Sequence, residues 1–75
     1  MFNEVRSIIA KELNIDEEKI QLDTNLKKDL DADSGTILEI IFELEDKLDV
    51  VLPDDLTEIV TTVEDLVNVI ENSRE

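Results

Sequence analysis

The sequence predicts an all-α fold, a four-helix bundle with three main helices, one short helix and a long first loop. Its 75 residues leave room for one hydrophobic core, so we expect a single domain over residues 1–75. Hydrophobic residues make up 41% of the chain and recur at intervals of three and four, the spacing of amphipathic helices. No strand pattern competes with this helical spacing.

The first helix is predicted over about residues 3–14, with Asn3 as its cap. Its inward face is formed by Val5, Ile8, Ile9 and Leu13. From residue 15 to 33 the helical period fades, and a loop of this length is uncommon unless it has a function. We expect this connection to be held to the core by isolated apolar side chains, namely Ile15, Ile20, Leu22, Leu26 and Leu30.

The second helix is predicted from about Ser34 to Asp49, because Asp33 and Ser34 are both residue types that cap helix N-termini. The spacing does not decide between these two caps. Thr36 and Glu39 form a further capping-box pair one turn later. Pro53 has no amide hydrogen and ends any continuation of this helix.

Two more helices are predicted after the proline. A short one covers about residues 54–59, and its inward side chains are Leu56, Ile59 and Val60. The last helix is capped by Thr61 or Thr62, with Thr61 and Glu64 as a capping box. Its inward stripe is formed by Val63, Leu66, Val67 and Ile70.

Two apolar faces run along the second helix. One stripe can seat the helix on the core, and its members are Ile37, Ile40, Ile41, Leu44 and Leu48. Leu38 and Phe42 lie outside this stripe, roughly 100° and 140° round the helix from Ile37, among several carboxylates. Taken one by one, Leu38 and Phe42 fit a wide core stripe, and the carboxylates fit a solvated face. Together they fit a docking surface for a basic partner protein.

The negative charge is concentrated in the second part of the chain. Seven basic and 21 acidic residues give a net charge of −14. Residues 1–28 hold six acids and five bases (−1), whereas residues 29–75 hold fifteen acids and two bases (−13). Such a surface repels nucleic acids and anionic membranes and favours basic partner proteins. No apolar run approaches the ~20 residues of a membrane span, so we expect a cytoplasmic protein.

Cysteine and histidine are both absent from the chain. This excludes disulfides, zinc sites built from these residues, and Ser–His or Cys–His catalytic pairs within the chain. Catalysis by such pairs is therefore not expected from this chain. The alternating Asp29, Asp31 and Asp33 resemble the start of an EF-hand loop, but its required glycine and glutamate are replaced by Ser34 and Ile40. We expect no specific metal site.

A run of Asp-Leu-Asp-Ala-Asp-Ser at residues 29–34 precedes the second helix, which carries Glu39, Leu44, Glu45 and Leu48. Pro53 and the Thr-Thr-Val opening of the last helix follow. In this order, and over essentially the whole chain, the sequence resembles the acyl carrier protein family. That family's hallmark is Asp-Ser-Leu at the start of its second helix. Here Gly35 stands where the family usually has leucine or methionine, and Thr36 where an acidic residue is common.

By position, the resemblance implies that Ser34 receives a 4′-phosphopantetheine arm from coenzyme A. It implies a partner-recognition surface, called the recognition surface below, made of Asp33, Gly35, Leu38, Glu39, Phe42, Glu45 and Asp46. It also implies a lining that can open for an acyl chain, called the cargo core below, made of Ile41, Leu44, Leu48, Leu52, Val60 and Leu66.

The sequence thus predicts an acyl carrier protein, a monomer that holds acyl intermediates as thioesters of the arm on Ser34. Because the chain has no cysteine, the thiol must arrive on the prosthetic group. The expected partners present basic patches: a phosphopantetheinyl transferase, and enzymes that make or transfer acyl chains. Fatty acid biosynthesis is the favoured pathway. Carriers for polyketides, lipid A, or aminoacyl and D-alanyl groups are alternatives, as is an acidic helical interaction module in which Ser34 only caps a helix.

Overall fold

Four α-helices make up the computed structural model, which describes residues 1–53 and 55–73. They are α1 (Phe2–Leu13), α2 (Ser34–Leu48), α3 (Leu56–Ile59) and α4 (Val63–Ser73), with a 3-10 turn at Glu17–Lys19. Within these ranges no strand is formed, and a single isolated bridge pairs Asn25 with Thr62. The predicted all-α architecture of three main helices, one short helix and a long first loop is confirmed.

The apolar faces of the helices meet in one aliphatic core. α1 packs against α2 and α4, and α3 packs against α2. Nearly all the inward residues predicted for the three main helices are buried, and only Leu13 and Leu48, at helix ends, are half-buried. Burying each such side chain stabilises the fold by about 1.5–3 kcal/mol. Neither aromatic residue belongs to this core, since Phe2 is half-buried and Phe42 is exposed.

Isolated apolar side chains anchor the long first loop, as the sequence predicts. Ile20 and Leu26 are fully buried, and Ile15 and Leu30 are half-buried. The prediction for Leu22 was wrong, because its side chain is 42% exposed. Leu22 holds the loop through its backbone instead.

Backbone hydrogen bonds join this loop to the start of α4. The Glu64 amide donates to the Leu22 carbonyl (2.9 Å), and the Val63 amide donates to the Thr24 carbonyl (3.1 Å). In the opposite direction, the Leu26 amide donates to the Thr61 carbonyl at 3.0 Å. The loop is therefore fixed by polar contacts with a distant part of the chain, and these contacts leave no apolar pattern in the sequence.

The start of α1 differs from its prediction. The helix begins at Phe2 with Met1 in the cap position, so Asn3 lies inside the first turn and the prediction of Asn3 as cap was wrong. Asn3 instead accepts a hydrogen bond from Arg6 Nη2 at 3.1 Å. The Arg6 guanidinium also lies over the Phe2 ring, 4.9 Å from its centroid, and its Nε is 3.6 Å from Glu17 Oε1.

Of the two caps predicted for the start of α4, the structure selects Thr62. Thr62 Oγ1 accepts from the Asp65 amide (3.3 Å), while Asp65 Oδ2 accepts from the amides of Thr62 (3.0 Å) and Thr61 (2.8 Å). The reciprocal capping box is thus Thr62–Asp65, and the predicted Thr61–Glu64 pair was wrong. The amides of Thr62 and Thr61 lower the pKa of the Asp65 carboxyl by stabilising its ionised form.

The short helix α3 begins at Leu56, and the predicted first residue, Asp54, lies outside the described residues. Leu56 and Val60 are buried, as predicted. Ile59 is 56% exposed, so its predicted inward position was wrong. The helix is a single turn followed by extended backbone at Val60, and Leu56 is the buried side chain within it.

α2 ends at Leu48, and Asp49 follows in the left-handed conformation with φ 53° and ψ 51°. Its amide donates to the Glu45 carbonyl, a common way for a helix to terminate. An aspartate here carries two penalties. Its side chain crowds a left-handed backbone, and its charge faces the negative end of the helix dipole.

Replacing Asp49 by glycine should therefore raise the free energy of unfolding by about 1 kcal/mol. Chemical denaturation followed by circular dichroism measures this change. Asp49→Asn is the matched control, since it removes the charge and keeps the side-chain shape. An unfolding free energy of Asp49→Gly at or below that of the parent chain would contradict the interpretation.

Candidate functional site

The N-terminus of α2 is capped by Asp33. Its Oδ1 accepts from the Thr36 amide at 2.8 Å, and its carbonyl accepts from the Ile37 amide at 2.9 Å. Of the two caps that the sequence left open, the structure selects Asp33, and Ser34 becomes the first residue of the helix. The pKa of the Asp33 carboxyl is lowered, first by the Thr36 amide and then by its hydroxyl, because both stabilise the ionised form.

The chain that leads into α2 is held in place just before this cap. Ala32 is buried, and its amide donates to the Leu26 carbonyl at 3.0 Å. Asp31 adopts a positive φ of 55°, which turns the backbone so that Ala32 points inward. The long loop is thus held to the core at Ala32, and Asp33 and Ser34, which follow Ala32, lie at the surface. No pattern in the sequence indicates this role of Ala32.

The Ser34 side chain is exposed, and within the described ranges its hydroxyl makes no hydrogen bond to another residue. Gly35 beside it is exposed and has no positive φ. A Cβ built on Gly35 would meet Asp33 Oδ1 at 3.5 Å, an ordinary contact. The backbone therefore does not require glycine at this position, and its missing side chain leaves one flank of Ser34 open.

The recognition surface continues along α2 from this point. Leu38 is 38% exposed and Phe42 is 57% exposed, so the second apolar row faces solvent. Glu39 and Asp46 are exposed beside it. Exposed apolar side chains edged by carboxylates are suited to contact with a basic protein surface.

Glu45 differs from the other carboxylates of this surface. It is half-buried, and its Oε2 accepts a hydrogen bond from the Leu52 amide at 2.9 Å. The bond connects α2 to the segment that follows it. No sequence pattern indicated this contact, because an acidic residue near a helix end reads as a surface residue.

The cargo core occupies the interior between the helices. Leu48 is half-buried and the remaining members are buried, with exposures up to 5%: Ile41, Leu44, Leu52, Val60 and Leu66. A surface cleft of about 330 Å³ lies elsewhere, between α1 and the C-terminal end of α2. Only Leu48 of the cargo core lines it. Since the 15 residues of α2 span roughly 22 Å, this cleft is far from Ser34.

The acidic run before α2 is used in local hydrogen bonding. Asp29 Oδ2 accepts from the Asn25 amide at 2.8 Å, and Asp33 caps the helix. Across residues 1–53 and 55–73, no three acidic side chains come close enough together to hold a metal ion.

Comparison with known proteins places the chain in a family. A family model described as "Phosphopantetheine attachment site" matches residues 3–70. The acyl carrier protein of Campylobacter lari is 36% identical over 72 residues, covering 96% of this chain and 94% of the relative. That of Sulfurovum sp. is 35% identical over 72 residues, covering 96% of both chains. This chain belongs to the acyl carrier protein family.

Family membership confirms several of the predictions. The prosthetic group is 4′-phosphopantetheine, and the protein is a carrier that works with enzymes rather than a catalyst. A third relative, the acyl carrier protein of Picosynechococcus sp., is 36% identical over 70 residues, covering 93% of this chain and 86% of the relative.

In the described part of the chain, no helix has the length and apolar character needed to cross a membrane.

The lowered pKa of Asp33 predicts how the α2 cap responds to acid. The ionised cap stabilises the helix at pH values above the ordinary carboxyl pKa of 3.8. This contribution is lost as the pH falls through the lower pKa of the folded chain. The amide resonance of Thr36, followed by NMR, should therefore titrate with a midpoint below 3.8.

Two variants make this test specific. In Asp33→Asn the Thr36 resonance should lose its titration, whereas in the charge-matched Asp31→Asn it should keep it. A midpoint at or above 3.8 in the parent chain would show that the cap does not favour the ionised carboxyl.

Proposed function

We propose that Ser34 carries the 4′-phosphopantetheine arm and that this carrier holds thioester intermediates of fatty acid biosynthesis in the cytoplasm. The observation that supports the attachment site best is the exposed hydroxyl of Ser34 at the first residue of α2. Asp33 makes the capping hydrogen bond that a serine at this place would otherwise supply. The hydroxyl is thereby left for chemistry with another protein.

Loading of Ser34 is a phosphoryl transfer. The serine Oγ attacks the pantetheinyl phosphorus of coenzyme A, an O–P bond forms, and adenosine 3′,5′-bisphosphate leaves as the bond to the nucleotide phosphate breaks. The hydroxyl proton must pass to a base. Since the chain has no histidine and no hydrogen-bonded base at Ser34 within the described residues, the transferase supplies that base.

The N-terminus of α2 fits the phosphodiester. An anion at the first turn of a helix is stabilised by the positive end of the helix dipole. The open flank at Gly35 gives the phosphate room. The flexible arm supplies the thiol that forms the thioester, and the helix terminus orients its attachment point away from the core.

Docking of the partner enzymes is the role proposed for the exposed members of the recognition surface. Leu38 and Phe42 give apolar contact area, and Glu39 and Asp46 orient a basic patch. The net charge of −14 adds a long-range attraction to basic partner proteins. This attraction raises the association rate, and added salt weakens it.

The fatty acid pathway is supported by the chemistry of the interior. The buried hydrophobic residues are aliphatic, and no aromatic ring is among them. Such a core has no rigid ring that would obstruct an alkyl chain, and a cargo core of isoleucine, leucine and valine matches that chain chemically. The cytoplasmic location fits the lack of cysteine, because small disulfide-stabilised domains belong to oxidising compartments.

Incubation with coenzyme A, magnesium and a broad-specificity phosphopantetheinyl transferase should add the mass of one 4′-phosphopantetheine, measured on the intact protein. Ser34→Ala should abolish the gain completely. Ser7→Ala, which removes an exposed serine of α1, should leave it unchanged. An unmodified parent chain, or a modified Ser34→Ala chain, would refute the assignment.

Replacing Phe42 by alanine should raise the KM of the transferase for this carrier by roughly tenfold. The fold should stay intact, because 57% of the side chain is already in solvent. Val51→Ala is the matched control, since Val51 is an exposed apolar residue (87%) outside the recognition surface. Equal KM values for the two variants would count against Phe42 as a docking residue.

The pathway is tested on carrier isolated from its native cell. Mass spectrometry of the arm on Ser34 should find a series of acyl groups that differ by two-carbon units, as chain elongation produces. A single D-alanyl or other aminoacyl group, or branched polyketide intermediates, would assign the protein to a specialised pathway instead.

A further inference from the structure

The segment that leaves α2 is folded back against the core. After the left-handed turn at Asp49, Val50 (9% exposed) and Leu52 (5% exposed) point inward, while Val51 between them is 87% exposed. The segment forms no helix or strand. Within the described residues, few backbone hydrogen bonds therefore hold this segment in place.

Glu45 supplies one of these bonds. Its Oε2 accepts from the Leu52 amide at 2.9 Å, a contact between residues seven positions apart. The Val50 amide donates to the Glu45 carbonyl at a longer 3.3 Å. Both inward residues of the segment are thus tied to Glu45, one through its side chain and one through its backbone.

The place of Glu45 on α2 explains why its carboxylate reaches this segment. It lies roughly 80° round the helix from Ile37, between the core stripe and the exposed row of Leu38 and Phe42. A side chain on this boundary can bend over the edge of the core. Asp46, the next residue, lies beyond this boundary and is exposed.

We propose that Glu45 is a latch that holds residues 50–53 closed over the cargo core, rather than a recognition carboxylate. The part that concerns cargo rests on the proposed function. With the latch made, Leu52 closes the interior beside α2. With the latch broken, the segment moves outward and exposes the acyl chain and its thioester to solvent.

Hydrogen exchange of the unloaded chain tests the latch itself. Glu45→Ala should speed exchange of the Leu52 amide by roughly tenfold or more, because a hydrogen bond to a charged acceptor is lost. Exchange at Ile40 and Leu44 in the middle of α2 serves as the internal reference for global unfolding. Only an increase at Leu52 beyond that at the reference amides supports the proposal.

Two variants separate the hydrogen bond from the charge. Asp46→Ala removes the same charge from the neighbouring position and should leave exchange at Leu52 unchanged. Glu45→Gln removes the charge but keeps an acceptor oxygen, so it should retain most of the protection. If Glu45→Gln behaves like Glu45→Ala, or if Asp46→Ala does, the latch is refuted.

Cleavage of a loaded thioester tests the consequence for cargo. A decanoyl thioester on the arm should react with hydroxylamine several-fold faster in Glu45→Ala than in the parent chain, whereas an acetyl thioester, too short to enter the core, should show no difference. Equal acceleration for both thioesters, or none for either, would overturn the role in cargo enclosure.

The exchange assay and the cleavage assay test separate claims, so one can contradict its claim while the other supports its own. Exchange at Leu52 needs neither Ser34 nor an arm, so it decides on the latch even if loading at Ser34 is disproved. The KM of the transferase for Glu45→Ala, compared with its KM for Phe42→Ala, decides whether Glu45 contacts the partner enzyme. A KM raised as much as in Phe42→Ala, with Leu52 exchange unaltered, would return Glu45 to the recognition surface and overturn the proposal.

Discussion

The hydrogen bond from the Thr36 amide to Asp33 is the constraint on which the site depends. It fixes where α2 begins, so that Ser34 is the first residue of the helix rather than its cap. Burial of the apolar stripe of α2 then decides which face meets the core, and helical geometry leaves Leu38 and Phe42 facing solvent.

Around this cap the chain combines two kinds of contact. Aliphatic burial joins α1, α2 and α4 and supplies most of the stability. Polar contacts then position the irregular segments: the first loop is tied to α4 through Leu22, Thr24 and Leu26, and the segment after α2 is tied to Glu45. The two irregular segments flank α2 at its two ends. The regular helices carry the stability, and these hydrogen bonds set the geometry of the site.

The sequence predicted what depends on periodicity and composition. The four helices, the inward stripes of the three main helices and the separate row of Leu38 and Phe42 all follow from helical spacing, and the structure agrees with them. Errors occurred where one hydrogen bond decides, as in the α4 cap, where Asp65 pairs with Thr62 and Glu64 does not. Leu22 was misjudged for a related reason: the residue that fixes it, Glu64, lies outside the local sequence window. The role proposed for Ser34 comes from the family resemblance, since spacing alone left this serine equivalent to a cap.

The docking of the first loop onto the start of α4 links the display of Ser34 to chain segments that are far apart in sequence. Leu26 bonds to Thr61 and also to Ala32, so the base of the α2 cap is complete only when the C-terminal helix is in place. A nascent chain that lacks α4 contains Ser34 but lacks the contacts that hold the loop leading to it. The position of Ser34 at the surface is therefore coupled to the formation of the last helix, although the two lie far apart in the sequence.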